Sequence, residues 1–183
     1  MSINHIIYEL KNHFKERPIK IAELGVLKGE TIPIFFNNLN VKEYIGVDLF
    51  DCYEDNNQDG SYKLMKENGD NIYNSLNKLY NNNANIRFER GFTNKVVDKF
   101  NDKYFDLIFI DAGHEYPQVS EDIRLWYPKM KDNGIFSGDD YFYPPVKKAV
   151  NEFIDMHNFK LYNSKEKNPD PTHNDYWSWY VFT

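Results

Sequence analysis

Four side chains in the second half of the chain could bind a metal ion and transfer a proton. Asp111 follows one short apolar run, Asp139 and Asp140 follow another, and His114 lies three residues after Asp111. If the two runs lie side by side, the carboxylates would repel one another unless a divalent cation with oxygen ligands lies between them. An imidazole titrates near neutral pH and can take a proton from an attacking hydroxyl. We therefore predict a magnesium site at Asp111, Asp139 and Asp140, with His114 and Asp111 as catalytic residues.

These residues also have a purely structural interpretation. Aspartates are common in the turns that follow strands, so Asp111 and Asp139 could be turn residues, and Asp140 could face solvent. His114 could make a single structural hydrogen bond within its loop. Residue types and spacing leave both interpretations open.

A second group of residues surrounds a glycine-containing turn at residues 23–29. The apolar run Ile19–Leu24 leads into the turn, and a helical pattern begins near Thr31. Glycines in such a turn let a ligand approach the backbone closely. About twenty residues later Asp48 ends a second apolar run, where a carboxylate can accept hydrogen bonds from both hydroxyls of a ribose. The turn and Asp48 together predict a site for an adenosine-containing ligand.

The spacing of the turn helps to choose among such ligands. It is Glu-x-Gly-x-x-x-Gly, with Glu23, Gly25 and Gly29, and not the Gly-x-Gly-x-x-Gly of typical dinucleotide enzymes. A pyrophosphate is therefore less favoured than a simpler adenosine ligand. In the structural alternative, the glycines only permit a tight strand-to-helix turn, and Asp48 makes an unspecified local capping hydrogen bond.

The pattern of apolar residues predicts how these groups are positioned. Short apolar runs at 19–24, 43–48, 85–89, 105–111 and 134–137 alternate with helical patterns at 31–38, 61–80, 94–100, 118–130 and 146–156. That alternation is typical of a parallel, doubly wound sheet with a crossover at each connection. The carboxyl ends of parallel strands share one edge, which is where ligands of such sheets bind. We therefore expect the glycine turn, Asp48 and the acidic residues to meet there.

Both ends of the chain add to this sheet. Apolar residues at helical spacing predict a helix within residues 1–16 that covers one face. Strand-like runs at 159–162 and 175–182, separated by a polar loop, predict an antiparallel hairpin. The chain is thus predicted to be one α/β domain, residues 1–183, with a doubly wound, mostly parallel, seven-stranded sheet and a C-terminal antiparallel hairpin. Within it, residues 51–84 could form a lid or helical insertion.

Composition narrows the partners that we expect. The chain has 183 residues and a formal net charge of -6, without a basic stripe for a nucleic acid. Charged residues interrupt the N-terminus where a signal peptide would be apolar, no run is long enough to span a membrane, and the only cysteine is Cys52. We expect a cytoplasmic protein that acts on a small molecule, with neither a nucleic acid nor a membrane as partner. The sequence leaves room for a homodimer.

Residues 23–31 followed by Asp48 resemble the cofactor motifs of class I S-adenosylmethionine-dependent methyltransferases, particularly the catechol O-methyltransferase-like branch. The similarity extends from about residue 19 to residue 183. It implies a Rossmann-like methyltransferase fold with S-adenosylmethionine as cofactor. The resemblance places Glu23, Gly25 and Thr31 around the methionine end, Gly29 in the same turn, Asp48 at the ribose, and Gly91, Phe92 and Thr93 beside the adenine.

The same resemblance extends to the acidic residues. Asp111, Asp139 and Asp140 match the magnesium-binding positions of metal-dependent O-methyltransferases, and Asp111 is nearest to the reactive sulfonium. Where catechol O-methyltransferase has a lysine, this chain has His114, so the identity of the base stays open. The pattern Asp-x-x-His-x-Tyr looks like a bacterial subgroup of sugar and antibiotic O-methyltransferases.

We therefore predict a divalent-metal-dependent methyltransferase that modifies a hydroxyl of a small molecule, such as a sugar or a catechol-like compound. Aromatic faces suit such acceptors, which makes Tyr116, Tyr141, Tyr143 and residues 55–70 candidates for the acceptor wall. His173, in a loop that could fold over the acceptor, is a weaker candidate. The alternatives are a metal-independent N- or carboxyl-methyltransferase, a nicotinamide-dependent oxidoreductase, and a domain that kept the fold without activity.

Overall fold

The structure is a computed structural model that describes residues 2–52, 60–164 and 178–183. The strands are β1 Ile19–Leu24, β2 Val41–Asp48, β3 Ile86–Arg90, β4 Phe105–Ile110, β5 Met130–Gly138, β6 Tyr162–Asn163 and β7 Trp179–Phe182. The α-helices are α1 Ile7–Phe14, α2 Ile32–Asn38, α3 Gly60–Tyr80, α4 Thr93–Val96, α5 Tyr116–Trp126 and α6 Pro144–His157. His173 and residues 53–59 of the predicted lid lie outside the described residues.

All seven strands form one sheet in the order β3-β2-β1-β4-β5-β7-β6. Strands β1 to β5 are parallel, and β7 is antiparallel to both β5 and β6. The predicted doubly wound, mostly parallel sheet with a C-terminal antiparallel hairpin is confirmed. The order reverses between β1 and β4, whose last residues Leu24 and Ile110 are paired. Ligands of open α/β sheets bind at such a reversal.

Each face of the sheet has its own apolar core because side chains alternate along a strand. In β1, Ile21 lies in the core under α1, α2 and α3, whereas Ala22 and Leu24 lie in the core under α5 and α6. Residues of α1 and of the turn before it, such as Leu10, are buried on the first face. Glu23, two residues after Ile21, therefore faces the α2 side of the sheet.

Helices α5 and α6 each begin two residues earlier than their apolar patterns predict. Helix α5 begins at Tyr116 with Pro117 in its first turn, and α6 begins at Pro144. Proline is suited to the first turn of a helix because its fixed φ matches the helix and its missing N–H is not needed there. Both helices consequently begin within a few residues of Asp111 and Asp140. None of the described helices combines the length and hydropathy that a membrane span requires.

Candidate active site

The glycine turn lies against the end of β4. Gly25 has φ +87°, and a Cβ at this position would overlap the backbone carbonyl of Asp111. Gly29 has φ +72°, and a Cβ there would crowd the side chains of Leu76 and Ile32. Neighbouring protein atoms and a positive φ thus favour glycine at both positions. The turn and Asp111 are held together at the reversal of strand order.

Asp48, at the end of the neighbouring strand β2, accepts hydrogen bonds from the backbone of this turn. Its Oδ2 accepts hydrogen bonds from the backbone N–H groups of Val26 at 2.8 Å and Leu27 at 2.9 Å. Its Oδ1 accepts one from Phe50 N–H at 2.7 Å. A carboxylate has about four acceptor positions, so three are used here. A ribose that engages Asp48 through both hydroxyls would have to replace or share one of these backbone bonds.

Glu23 is the buried acid of the turn, with 1% of its surface exposed. The Thr31 hydroxyl donates to its Oε1 at 2.5 Å, and the Tyr44 hydroxyl donates to its Oε2. Burial raises the pKa of Glu23 to about 7, whereas the two hydroxyl bonds act in the opposite direction. The Thr31 hydroxyl is thus a hydrogen-bond donor to Glu23. The Tyr44 hydroxyl is a second donor, which the sequence motif did not indicate.

The loop after β3 contains the residues that the resemblance places beside adenine. Phe92 is 44% exposed, so its ring is accessible at this edge of the sheet. The Thr93 hydroxyl instead donates to Asp122 Oδ1 on α5 at 2.5 Å. Asp122 is buried, and burial raises its pKa to about 7. Asp122 fixes the loop, a role for which a lone aspartate in a helical pattern gives no sequence signal.

The acidic residues line a small cavity where β4 and β5 end. Its volume is about 10 Å³, enough for one water molecule or one ion. Backbone hydrogen bonds hold the residues that follow the two strands. Asp111 N–H donates to the carbonyl of Leu24, and Asp139 N–H donates to the carbonyl of Ile110. The cavity is lined by Ile110, Asp111, Ala112, Gly113, His114, Val119, Asp139, Asp140, Val146 and Trp179.

The side chains that come closest differ from the predicted three carboxylates. One ligand atom each from Asp111, His114 and Asp140 lies within 4.8 Å of the others, and His114 Nε2 is 2.8 Å from Asp140 Oδ2. Asp139 is buried in the same cavity, but its Oδ1 is 3.4 Å from the hydroxyl of Ser178. The backbone of Asp140 has φ +56°, a conformation that a sequence pattern does not reveal.

The charges of this cluster favour a cationic ligand. Burial, followed by the nearby Asp139, Asp140 and Glu23, raises the pKa of Asp111 well above its usual range, and His114 opposes that shift. A cation held between two carboxylates and an imidazole would offset the burial and the repulsion. The donor atoms and the size of the cavity therefore fit a divalent metal ion, which Asp111, Asp140 and either His114 or Asp139 would hold.

The predicted acceptor wall is only partly present. Tyr143 is 37% exposed, and its ring lies edge-on to that of His114 with centroids 6.5 Å apart. The neighbouring Phe142 is equally exposed, although it was not predicted to contribute. Tyr141 is buried with its hydroxyl bonded to Asn151, and the Tyr116 hydroxyl donates to Glu152. The hydroxyls of Tyr141 and Tyr116 are thus both hydrogen-bonded to residues of α6.

Known proteins resemble this chain in sequence and in fold. Residues 22–141 match a family model described as a methyltransferase domain. An uncharacterised protein of Acanthamoeba polyphaga mimivirus is 26% identical over 156 residues, which are 82% of this chain and 66% of that relative. The chain thus spans slightly less than two thirds of the length of this relative.

Solved structures of low sequence identity share the fold. A candidate caffeoyl-CoA O-methyltransferase from Staphylococcus aureus superimposes with a TM-score of 0.67 at 15% identity, covering 100% of this chain and 83% of that one. The O-methyltransferase NovP superimposes with a TM-score of 0.63 at 18% identity, covering 96% and 78%. These likenesses establish the fold, and the family model covers the glycine turn, Asp48 and the four titratable residues of the cavity, Asp111, His114, Asp139 and Asp140. The chain therefore belongs to the class I S-adenosylmethionine-dependent methyltransferases.

Proposed function

We propose that this enzyme is a divalent-cation-dependent O-methyltransferase that acts on a hydroxyl of a small molecule, such as a sugar or a catechol-like compound. The observation that carries this proposal is the convergence of Asp111, His114 and Asp140 beside the glycine turn. These residues combine an anionic pocket for a cation with an imidazole that can accept a proton. The two O-methyltransferases of the same fold support the choice of oxygen as the methylated atom.

The edge of the sheet supplies the cofactor contacts in this proposal. Glu23, beside Thr31, attracts the positively charged amino-acid end, Asp48 accepts from the ribose, and the exposed Phe92 ring covers one face of the adenine. When bound, S-adenosylmethionine supplies the electrophilic methyl group. Because Gly25 abuts Asp111, the cofactor turn directly adjoins the acidic cavity. This proximity suits a displacement that depends mainly on the orientation of its reactants.

His114 takes the proton of the acceptor hydroxyl. Its side chain is 40% exposed, whereas Nε2 is buried and lies 2.8 Å from Asp140 Oδ2. Asp140 thus orients the ring, and Nδ1 is the nitrogen that accepts the proton. When bound, a divalent cation lowers the pKa of the acceptor hydroxyl and fixes its direction. Tyr143, edge-on to His114, provides an aromatic surface for the acceptor.

Thermal unfolding tests the binding of the cofactor and of the cation without a measurement of catalysis. S-adenosylhomocysteine should raise the melting temperature, and magnesium or manganese should raise it further, because ligands that bind the folded state stabilise it. Asp140→Asn should abolish the cation effect and leave the effect of S-adenosylhomocysteine. Asp132→Asn is the matched control, because Asp132 pairs with Lys103 on the surface. A cation effect that survives in Asp140→Asn would contradict the proposed cation site.

The contact between His114 and Asp140 also supports a second candidate function. A carboxylate that orients an imidazole can assist proton removal without a metal, as expected for a metal-independent methyltransferase. Turnover measured with excess chelator separates the two candidates. Loss of turnover that magnesium or manganese restores supports the cation-dependent enzyme, and full turnover in chelator supports the metal-independent one.

A further inference from the structure

Tyr44 carries a buried hydroxyl inside an otherwise apolar environment. The residue lies in β2 with 0% of its surface exposed, and its ring packs near Phe35, Phe36 and Phe88. A phenylalanine would fill the same space among these rings. The hydroxyl donates a hydrogen bond to Glu23 Oε2 across the two neighbouring strands. Packing thus explains why an aromatic ring lies at this position, and the hydrogen bond to Glu23 explains why the ring carries a hydroxyl.

The surroundings of Glu23 contain hydroxyl donors and negative charge. Ion pairs in the described part of the chain do not include Glu23. The charged or titratable groups that interact electrostatically with Glu23 are Asp48 and Tyr44 on β2 and Asp111 after β4. Tyr80 on α3 interacts with Tyr44. A buried carboxylate without a positive partner is costly, and the ammonium group of the cofactor would supply that partner.

We propose that Tyr44 is a positioning residue for the cofactor: its hydroxyl orients the Glu23 carboxylate beneath the glycine turn and keeps it charged for the ammonium group. This inference rests on the proposed binding of S-adenosylmethionine at this edge. Thr31 supports the opposite oxygen of Glu23. With about four acceptor positions on a carboxylate, two remain for the ligand.

The arrangement makes cofactor affinity depend on pH. The pKa of Glu23 is raised to about 7, so lowering the pH through neutrality neutralises Glu23 and removes its attraction for an ammonium. The hydrogen bond from Tyr44 lowers that pKa, and its removal would raise the pKa further. Cofactor affinity increases with pH as Glu23 becomes charged, and in Tyr44→Phe this increase should occur at higher pH.

Calorimetric titration with S-adenosylhomocysteine between pH 5.5 and 8.5 tests this role. At pH 7 we expect Tyr44→Phe to weaken binding about tenfold and to shift the pH profile upward by about one unit. Tyr80→Phe is the matched control, because it removes a half-buried phenol hydroxyl from the same core, and its profile should match the wild type. 5′-Methylthioadenosine, which lacks the ammonium, should bind wild type and Tyr44→Phe equally.

A double-mutant comparison isolates the action through Glu23. Glu23→Gln removes the titrating group, so Tyr44→Phe should cause no further shift of the pH profile in that background. An equal shift with and without Glu23, or an unchanged profile in Tyr44→Phe, would overturn the inference. If Tyr44→Phe does not fold, Thr31→Val should produce the same upward shift, and its absence would also overturn the inference. Wild-type protein that does not bind S-adenosylhomocysteine at any pH would instead overturn the proposed function, and the inference with it.

Discussion

Gly25 and the carbonyl oxygen of Asp111 lie so close that no side chain fits between them. The contact joins the glycine turn, which follows β1, to the acidic cavity at the end of β4. The backbone hydrogen bond from Asp111 N–H to Leu24 also joins the two halves of the site. Under the proposed function, a methyl donor bound by one half would lie next to an acceptor bound by the other.

Gly25→Ala should destabilise the protein by more than about 2 kcal/mol, because it combines a steric overlap with a positive φ. Chemical denaturation measures the loss. Gly91→Ala is the comparison: Gly91 also has a positive φ, but a Cβ there meets only Val96, at 3.3 Å. Equal losses in the two variants would mean that the contact with Asp111 is unimportant.

Asp48→Ala should affect both stability and cofactor binding. Three backbone N–H groups lose their acceptor, which we expect to cost about 1 to 3 kcal/mol of folding free energy. S-adenosylhomocysteine binding should weaken by about 2 to 4 kcal/mol. Denaturation and calorimetry measure the two effects, with Asp51→Ala, at an exposed neighbouring carboxylate, as control. Unchanged affinity in folded Asp48→Ala would remove Asp48 from the binding site.

His114→Gln should lower turnover by about 10² to 10⁴, because the amide cannot take the proton of the acceptor. Affinity for S-adenosylhomocysteine should hardly change, since the proposed role of His114 is proton transfer from the acceptor and not cofactor binding. Steady-state kinetics and calorimetry provide the two measurements, with His13→Gln as control because His13 bonds to Asn133 far from this edge. Full turnover in His114→Gln would assign the histidine a structural role.

Asp122→Asn should stabilise the protein above neutral pH and have little effect near pH 4. The unfolded chain releases this proton near pH 4, whereas the folded protein keeps it until about pH 7. The folded state therefore binds more protons in this interval, and its stability falls as the pH rises from about 4 to 7. Removing the charge should recover about 2 to 4 kcal/mol at pH 8.

Denaturation of Asp122→Asn at pH 4.5 and pH 8 checks this prediction. Asp98→Asn, at an exposed site, is the control. Glu23 titrates in the same interval, so part of the pH dependence should persist in the variant. A gain of equal size at both pH values would show that the charge of Asp122 is not its cause.

The sequence predicted the sheet well because strand identity depends on local apolar runs. The bounds of β1 agree with its run, and Asp48 and Asp111 lie at the ends of β2 and β4 as expected. The roles of Tyr44 and Asp122 could not be predicted, because each depends on a hydrogen bond to a residue far away in the chain. Strand order groups the three carboxylates, but side-chain direction places Asp111 and Asp140 with His114, whereas Asp139 Oδ1 lies near the Ser178 hydroxyl.

The pairing of β1 with β4 also determines when the site can form during folding. Ile21 and Leu107, which are paired, are 107 − 21 = 86 residues apart. Contacts between such distant segments form slowly because a long loop must close first. The bond from Asp111 N–H to Leu24 belongs to this pairing, so its amide should exchange with deuterium only on extensive unfolding. A cofactor bound across β1 and β4 would then slow exchange throughout the central strands and not only in the turn.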